Sequence, residues 1–348
     1  MTAANSPAAT AGRRVVCFLM TVGAVLSVCG GSAAAFEILD TAGFEGYSPG
    51  PVVGQFGGLS TWTTVGGGGG SALVEDAVGI GGTRGLRVER GDRSDDWWAA
   101  PYSGFNFPTS RFVVVEWDMR VEDPGAAAGV EGPFIGVEVY DDSFYPQLLG
   151  SLGVDAATRD LLYHEPATGA FVETGVTADE QWRHYQIRLD YLHDQFAVLA
   201  DGVLLADDPI AFVDGPSDTF GDADLAAYAA AADQASQRQT AAAFFDNLAV
   251  WEGSPGDYNL DGRVDAADYT EWRSSVGTAN LFADGNGDGV VNQGDYDLWR
   301  ASYGGSYHQP LAGPTSAPEP AAATLLLLGA CGMVRRGATR RPRSEASC

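Results

Sequence analysis

Two stretches of this chain place carboxylate or amide oxygens at every second position. One begins Asp257-Tyr258-Asn259-Leu260-Asp261-Gly262 and the other Asp284-Gly285-Asn286-Gly287-Asp288-Gly289. A twelve-residue loop can wrap a hard cation when oxygens fall at positions 1, 3, 5, 7, 9 and 12 and the chain turns sharply at position 6. In the first loop those oxygens belong to Asp257, Asn259, Asp261, the Arg263 carbonyl, Asp265 (directly or through water) and Asp268, with Gly262 at the turn. In the second they belong to Asp284, Asn286, Asp288, the Val290 carbonyl, Asn292 and Asp295, with Gly289 at the turn. An all-oxygen set of this size suits Ca2+, so two calcium ions are expected, one per loop. At an offset of 27 residues, segments 257–277 and 284–304 agree at 11 of 21 positions, which makes them a repeat. The last ligand is Asp in both copies, shorter than the bidentate Glu of the helix-loop-helix pattern.

Other reactive side chains are more scattered. Glu116, Asp118 and Glu122 would share one face of a strand, but six residues of strand separate the outer two by about 20 Å. Carboxyl pairs that cleave glycosidic bonds sit ~5 to ~9.5 Å apart. The three therefore read as solvated polar residues, and no catalytic residue is assigned. His164, His184 and His193 are isolated, with no His-Glu-x-x-His pair or Gly-x-Ser-x-Gly elbow. In Asp95-Asp96-Trp97-Trp98, adjacent tryptophans on a strand face opposite sides, so one is expected in the core while the other either lies under a covering loop or stacks on a sugar ring. The sequence contains no lysine. That excludes a Schiff-base lysine and a phosphate loop of the Walker type, and leaves 66–70 as a flexible glycine run.

The elements that must position these groups fall into two sets. Past each acidic loop, apolar residues recur at helical spacing: Tyr269, Trp272 and Val276 in one copy, Tyr296, Trp299 and Tyr303 in the other. The two stripes are expected to pack together. Ahead of the first loop, Gly253-Ser254-Pro255-Gly256 breaks any helix, and residues 278–283 are too short for one, so each unit is a loop with an exiting helix alone. Residues 36–252 read instead as short strands between Gly, Pro and Asp clusters. In 112–122, Val113, Val115, Trp117, Met119 and Val121 alternate with polar or smaller residues, which predicts a half-buried strand. Further strands are expected at 72–78, 85–89, 134–140, 182–191 and 244–251, with a hairpin over 196–207 about Asp201-Gly202. The alanine-rich stretch 224–243 reads as helix by propensity, although a sheet protein would need a strand near it; both readings stand. The pattern as a whole is mainly β, an antiparallel two-sheet jelly-roll sandwich followed by a small all-α module.

Both ends differ in composition from the middle. Residues 1–35 carry Arg13-Arg14, an apolar run over 15–28 and Ala33-Ala34-Ala35, the order of a secretory signal peptide. At the other end Pro318-Glu319-Pro320 precedes an apolar run over 321–334 and five arginines. An apolar segment with a basic end suits membrane insertion with that end held on the cytoplasmic side. All four cysteines (Cys17, Cys29, Cys331 and Cys348) lie in these ends, so segment 36–320 has neither disulfides nor thiolate metal sites. That segment holds 13 basic and 45 acidic residues, a net charge of −32. Such a surface repels nucleic acid and anionic lipid, and suits calcium and neutral glycans.

Three resemblances follow from these motifs. Residues 257–304, with Asp at each last ligand and one exiting helix per loop, resemble the type I dockerin family. This implies calcium-dependent folding and docking onto a cohesin-like protein partner through loop positions 10 and 11. Those positions are Ala266-Ala267 and Gln293-Gly294, without the hydroxyl pair common in cellulosomal members. The block 181–209, with its Asp201-Gly202 turn and the later Asp246-Asn247 pair opening a closing strand, resembles the concanavalin A-like superfamily, particularly its laminin-G-like branch. Members bind glycans, proteins or calcium, and some hydrolyse polysaccharides. The tail resembles the PEP-CTERM sorting signal, which implies an exosortase-type processing enzyme and transient membrane association through the tail. The expected organisation is a signal peptide (1–35), a jelly-roll domain (36–252), a dockerin-like domain (253–307), a linker (308–317) and a sorting signal (318–348). The expected protein is exported and surface-sorted, binds calcium, and takes an extracellular glycan or protein ligand without catalysis. A polysaccharide-degrading hydrolase or lyase and a structural surface-layer component remain the alternatives.

Overall fold

Period-two alternation builds two antiparallel sheets. The computed structural model describes residues 37–57, 60–101, 105–106, 111–122, 130–166, 168–280 and 282–306. The expected signal peptide, linker and sorting tail lie outside them. In the ten-stranded sheet the main order is Val203–Leu204, Gln195–Ala200, Arg183–Asp190, Phe112–Val121, Ala241–Glu252, Gly85–Arg90, Ser71–Glu75 and Gly50–Pro51. Two short strands, Glu37–Asp40 and Ile210–Ala211, pair onto it. The seven-stranded sheet runs Phe171–Thr177, Asp160–His164, Leu148–Asp155, Pro133–Tyr140, Asp222–Ala229, Asp96–Ala99 and Thr63–Gly66. The core lies between the inner faces. Val113, Val115, Trp117, Met119 and Val121 from one sheet meet Ile135, Val137, Val139 and Leu225 from the other in a single apolar cluster.

The predicted hairpin forms about Asp201-Gly202, both in the left-handed region at φ 50° and 76°, the geometry of a tight turn that suits the twist of its strands. The tryptophan pair divides as expected: Trp98 is buried in the core, and Trp97 sits on the outer face.

Of the two readings of 224–243 the structure takes the strand, and two further expectations need correction. Asp222–Ala229 is an interior strand of the seven-stranded sheet, and Ala241–Glu252 begins inside the remaining alanines. Helix propensity yields here because Ala223, Ala226 and Ala227 are buried against the residues of neighbouring strands, where small side chains fit. The closing strand does not open at Asp246-Asn247. That pair forms a bulge within it, with Asn247 at φ 51° and a register shift between Asp246 and Ala249. Finally, the strand Phe112–Val121 is buried on both faces, because its outer face is covered.

Part of that cover comes from the repeat. Phe112, Val114, Ala197, Leu199, Ala249 and Trp251 cluster with Leu260 and Phe282 from the acidic segment. The helices Ala266–Ser275 (α1) and Gln293–Ser302 (α2) follow the loops, each opened by a capping box: Asp265 with Asp268, and Asn292 with Asp295. The stripes meet through Tyr269, Trp272, Tyr296 and Trp299, at ring separations of 5.1 to 6.2 Å. Val276 and Tyr303 take no part in that contact; each is the exposed residue at its helix end. Each tryptophan also donates across the repeat, Trp272 Nε1 to the Asn292 carbonyl and Trp299 Nε1 to that of Asp265, both at 2.8 Å. Among the described residues no helix is long and apolar enough to cross a membrane, and the apolar run 321–334 lies outside them.

Candidate functional site

On the strand Pro133–Tyr140, Ile135, Val137 and Val139 point into the core, so Phe134, Glu138 and Tyr140 share the outer face of the seven-stranded sheet. Glu138 is 2% exposed and three aromatic groups donate to it. Trp97 Nε1 and the Tyr140 hydroxyl reach Oε2 at 2.6 and 2.7 Å, and the Tyr228 hydroxyl reaches Oε1 at 2.6 Å. Trp97 stacks on Tyr228 at 5.3 Å, and Phe134 and Phe171 extend the aromatic floor. These donors hold one carboxylate in one orientation among the half-buried rings of Trp97, Tyr140, Phe171 and Tyr228, above a buried Phe134.

Cross-strand register places Asp224 directly opposite Glu138, and Asp222 opposite Tyr140. Directly opposed side chains have Cβ atoms ~4.5 to ~5.5 Å apart, where like charges are destabilising. Burial pushes Asp224 well above the carboxylate range, with Asp222 and Glu138 adding to the shift, and burial raises Asp222 to about 6. Asp224 Oδ1 is buried with no hydrogen-bond partner. His164 completes the group, with Nδ1 2.9 Å from Ser151 Oγ and 3.5 Å from Glu138 Oε1, and Nε2 3.4 Å from the Tyr228 hydroxyl. Its pKa is lowered, because desolvation outweighs the attraction of Glu138. None of the seven strands contains an arginine, whereas the strands of the other sheet hold five. The face is thus acidic, aromatic and without a permanent cation.

Sequence reasoning missed this group. Glu138 and Asp224 lie on strands far apart in the chain, and Asp224 opens a stretch that propensity assigns to a helix. A strand expected at 134–140 does not by itself say what stands opposite Glu138.

The twelve predicted ligand residues are brought together in two loops with one hydrogen-bond plan. At position 1, Asp257 accepts from the Asp261 and Gly262 amides, as Asp284 does from those of Asp288 and Gly289. At position 3, Asn259 Oδ1 and Asn286 Oδ1 accept from the amides at position 5. At position 5, Asp261 and Asp288 accept from the amides of Arg263 and Val290. Asp265 and Asn292 cap the helices, and Asp268 and Asp295 reach back to accept from their amides at 2.7 Å. Gly262 and Gly289, at φ 81° and 88°, make the position-6 turns.

Positions 1 and 12 are buried in both loops, with Asp257, Asp268, Asp284 and Asp295 at most 2% exposed. Burial pushes Asp257 up to about 8 and Asp268 to about 6, with repulsion from neighbouring carboxylates adding to both. Buried carboxylates that repel one another fit a bound cation. Among the described residues no three His, Cys, Asp or Glu side chains converge closely enough to hold a metal by themselves. Ion binding in either loop would therefore need the asparagine and carbonyl oxygens as well, ordinary ligands for calcium.

Glu116 and Asp118, expected to be solvated, are 4% and 1% exposed. Neighbouring strands satisfy them: Gln186 Nε2 donates to Glu116 at 2.9 Å, Asn247 Nδ2 to Asp118 at 2.7 Å, and His184 Nδ1 lies 3.1 Å from Asp118. Those acids outweigh desolvation and raise His184 to about 10. Glu122 lies apart, 3.9 Å from Arg87. Arg188 is buried on the same outer face, 5.5 Å from the Phe282 ring, with Nη2 donating to Gln186. His193 pairs with Asp190 at 2.9 Å. These residues form a structural network, and they do not assemble into a carboxylate pair facing a cleft.

No family model matches the sequence, and no curated protein matches it. Among solved structures, the chain is similar to a carbohydrate esterase from the Shiga toxin-encoding bacteriophage phi24B, at 16% identity and TM-score 0.42, covering 63% of this chain and 100% of that one. It is similar also to the alginate lyase Aly36B (11%, TM-score 0.42, 63% and 97% covered). A third is the cellulose induced protein Cip1 (14%, TM-score 0.40, 54% and 90% covered). Likenesses at this level lend nothing to the choice of ligand, which rests on the chain's own residues.

Proposed function

We propose that this chain is an exported, surface-sorted calcium-binding protein whose jelly-roll domain takes an extracellular neutral glycan on the outer face of the seven-stranded sheet. The observation that carries the reading is Glu138, held by Trp97, Tyr140 and Tyr228 directly opposite Asp224 among half-buried rings. Phenol hydroxyls that give their protons to Glu138 keep lone pairs for sugar hydroxyls, and ring faces pack on the apolar side of a pyranose. An anionic glycan would meet Glu138, Asp222 and Asp224 with no arginine on the sheet to offset them. Two Ca2+ ions in the loops would hold the dockerin-like segment in shape against the other sheet. Its half-buried aromatic helices are the surface offered to a cohesin-like partner.

One observation favours a second reading, hydrolysis. Glu138 and Asp224 are directly opposed carboxyl groups, and burial raises Asp224, which is how an acid can be paired with a base or nucleophile. Asp224 would protonate the leaving glycosidic oxygen while Glu138 activates water or attacks the sugar carbon. Titration calorimetry of the full chain against neutral and uronic oligosaccharides, with a reducing-sugar assay on each, tests both readings. Binding to a neutral glycan that Glu138→Gln abolishes supports the site, and sugar release lost in Asp224→Asn adds catalysis. Preference for uronic chains would overturn the assignment.

A further inference from the structure

The largest apolar exposure beside this face is a pair of rings. Phe144 is 90% exposed and Tyr145 81%, side by side in the turn between Pro133–Tyr140 and Leu148–Asp155. Their centroids lie 4.9 Å apart at an interplanar angle of 86°, so the two rings form a corner. Each such side chain carries roughly 150 to 250 Å² of surface, and together they approach the size of a typical functional patch.

The turn that displays them is tied down. Asp141 is 6% exposed, and its Oδ1 accepts from the Gln147 amide at 2.9 Å and from Ser143 Oγ at 2.7 Å. The Asp141 amide donates back to the Gln147 carbonyl at 3.1 Å, which closes the loop at its base. Ser217 Oγ donates to Asp141 Oδ2, and the Asp142 amide donates to Thr219 Oγ1 at 3.3 Å. The turn is thereby fixed to the segment leading into Asp222, whose pKa the Asp142 charge helps to raise. Much of the ordering cost of presenting two bare rings is met before any ligand arrives.

We infer that Phe144 and Tyr145 form a stacking platform for a neutral polysaccharide, an outlying subsite of the glycan site at Glu138; the inference rests on that reading. Four residues of extended chain span at most roughly 14 Å, so an oligosaccharide lying on Tyr140 and Glu138 can reach the corner. Charge selects among occupants. Residues 141–147 and 213–224 contribute Asp141, Asp142, Asp214, Asp218, Asp222 and Asp224 and no basic residue, so anionic glycans and anionic lipid are repelled. A neutral sugar pays no such penalty and offers an apolar ring face to each aromatic.

Affinity electrophoresis of the full chain in calcium tests this, with gels containing β-glucan, xylan or mannan, and alginate or chitosan as charged controls. Vesicles of phosphatidylcholine with phosphatidylserine provide a flotation arm. The parent is expected to be retarded by one neutral polysaccharide, Phe144→Ala/Tyr145→Ala to lose about tenfold or more in affinity, and Phe144→Tyr to retain most of it. Both replaced side chains are solvent-exposed, so far-ultraviolet dichroism should be unchanged. If the double variant binds as tightly as the parent while Glu138→Gln does not, the platform is refuted and the central site stands. If no neutral gel retards the parent, or chitosan alone does, both fall. Vesicle flotation lost in the double variant would replace the glycan by lipid and overturn the inference.

Discussion

Both sheets bury carboxylates on their outer faces, and the two faces differ in what accompanies them. On the ten-stranded sheet Glu116 and Asp118 have His184, Gln186, Asn247 and Arg188 around them, and Leu260 and Phe282 close over the neighbouring strands. There the histidine is raised, to about 10, and the acids are compensated. On the seven-stranded sheet Glu138, Asp222 and Asp224 have phenols, an indole and a histidine whose pKa is lowered. No strand arginine stands among them, and two of the acids are pushed up instead. The difference separates carboxylates that serve the fold from those held ready for a ligand. Compensated carboxylates lie among amides, a raised histidine and an arginine, whereas the others lie beside half-buried rings.

The comparison can be tested most severely through the cover on the first face. Removing calcium with a chelator should produce the largest effect, because an ion present at a thousandfold excess over its dissociation constant stabilises by about 4 kcal/mol per site. Thermal unfolding of the full chain should shift down by many degrees, and calcium affinity should weaken as pH falls through 8 to 6, where Asp257 and Asp268 take up protons. Next in size is Phe282→Ala, which empties the contact with Phe112 and Arg188 and should cost about 3 kcal/mol in urea denaturation.

The second face should respond in the opposite sense. Asp222 is raised in the folded state, so the stability it contributes is complete below its unfolded pKa of 3.8 and is lost as pH rises through about 6. Asp222→Asn/Asp224→Asn should therefore stabilise the protein by about 2 kcal/mol at pH 8 and by little at pH 4. A loss of stability at pH 8 would mean that these acids are structural. The last test is His184→Gln, which is read as a trend with pH. His184 is raised, so its contribution is complete below pH 6.5 and fades as pH approaches 10. The variant should be less stable than the parent at pH 6 and nearly equal to it near pH 10, as read by thermal melts across that range.

How much of this was legible depended on whether the partners are neighbours in sequence. The repeat of the acidic loops could be read because a pattern within twelve consecutive residues carries its own spacing, and the observed hydrogen bonds recur position by position. The hairpin at Asp201-Gly202 was legible for the same reason. The buried state of Glu116 and Asp118 was not, because their partners His184, Gln186 and Asn247 are contributed by strands 66 to 129 residues further on. Glu138 and Asp224 meet only through cross-strand register, and the alanines around Asp224 speak for helix until the sheet encloses them.

Hydrogen exchange of the full chain with and without a saturating neutral polysaccharide tests the central claim most directly, because it reports which face the ligand covers. The expected result is added protection confined to 133–147 and 217–229, with 112–121 and 183–190 unchanged. Protection on those latter strands or on the acidic loops, with none on the Glu138 face, would contradict the assignment of the two faces.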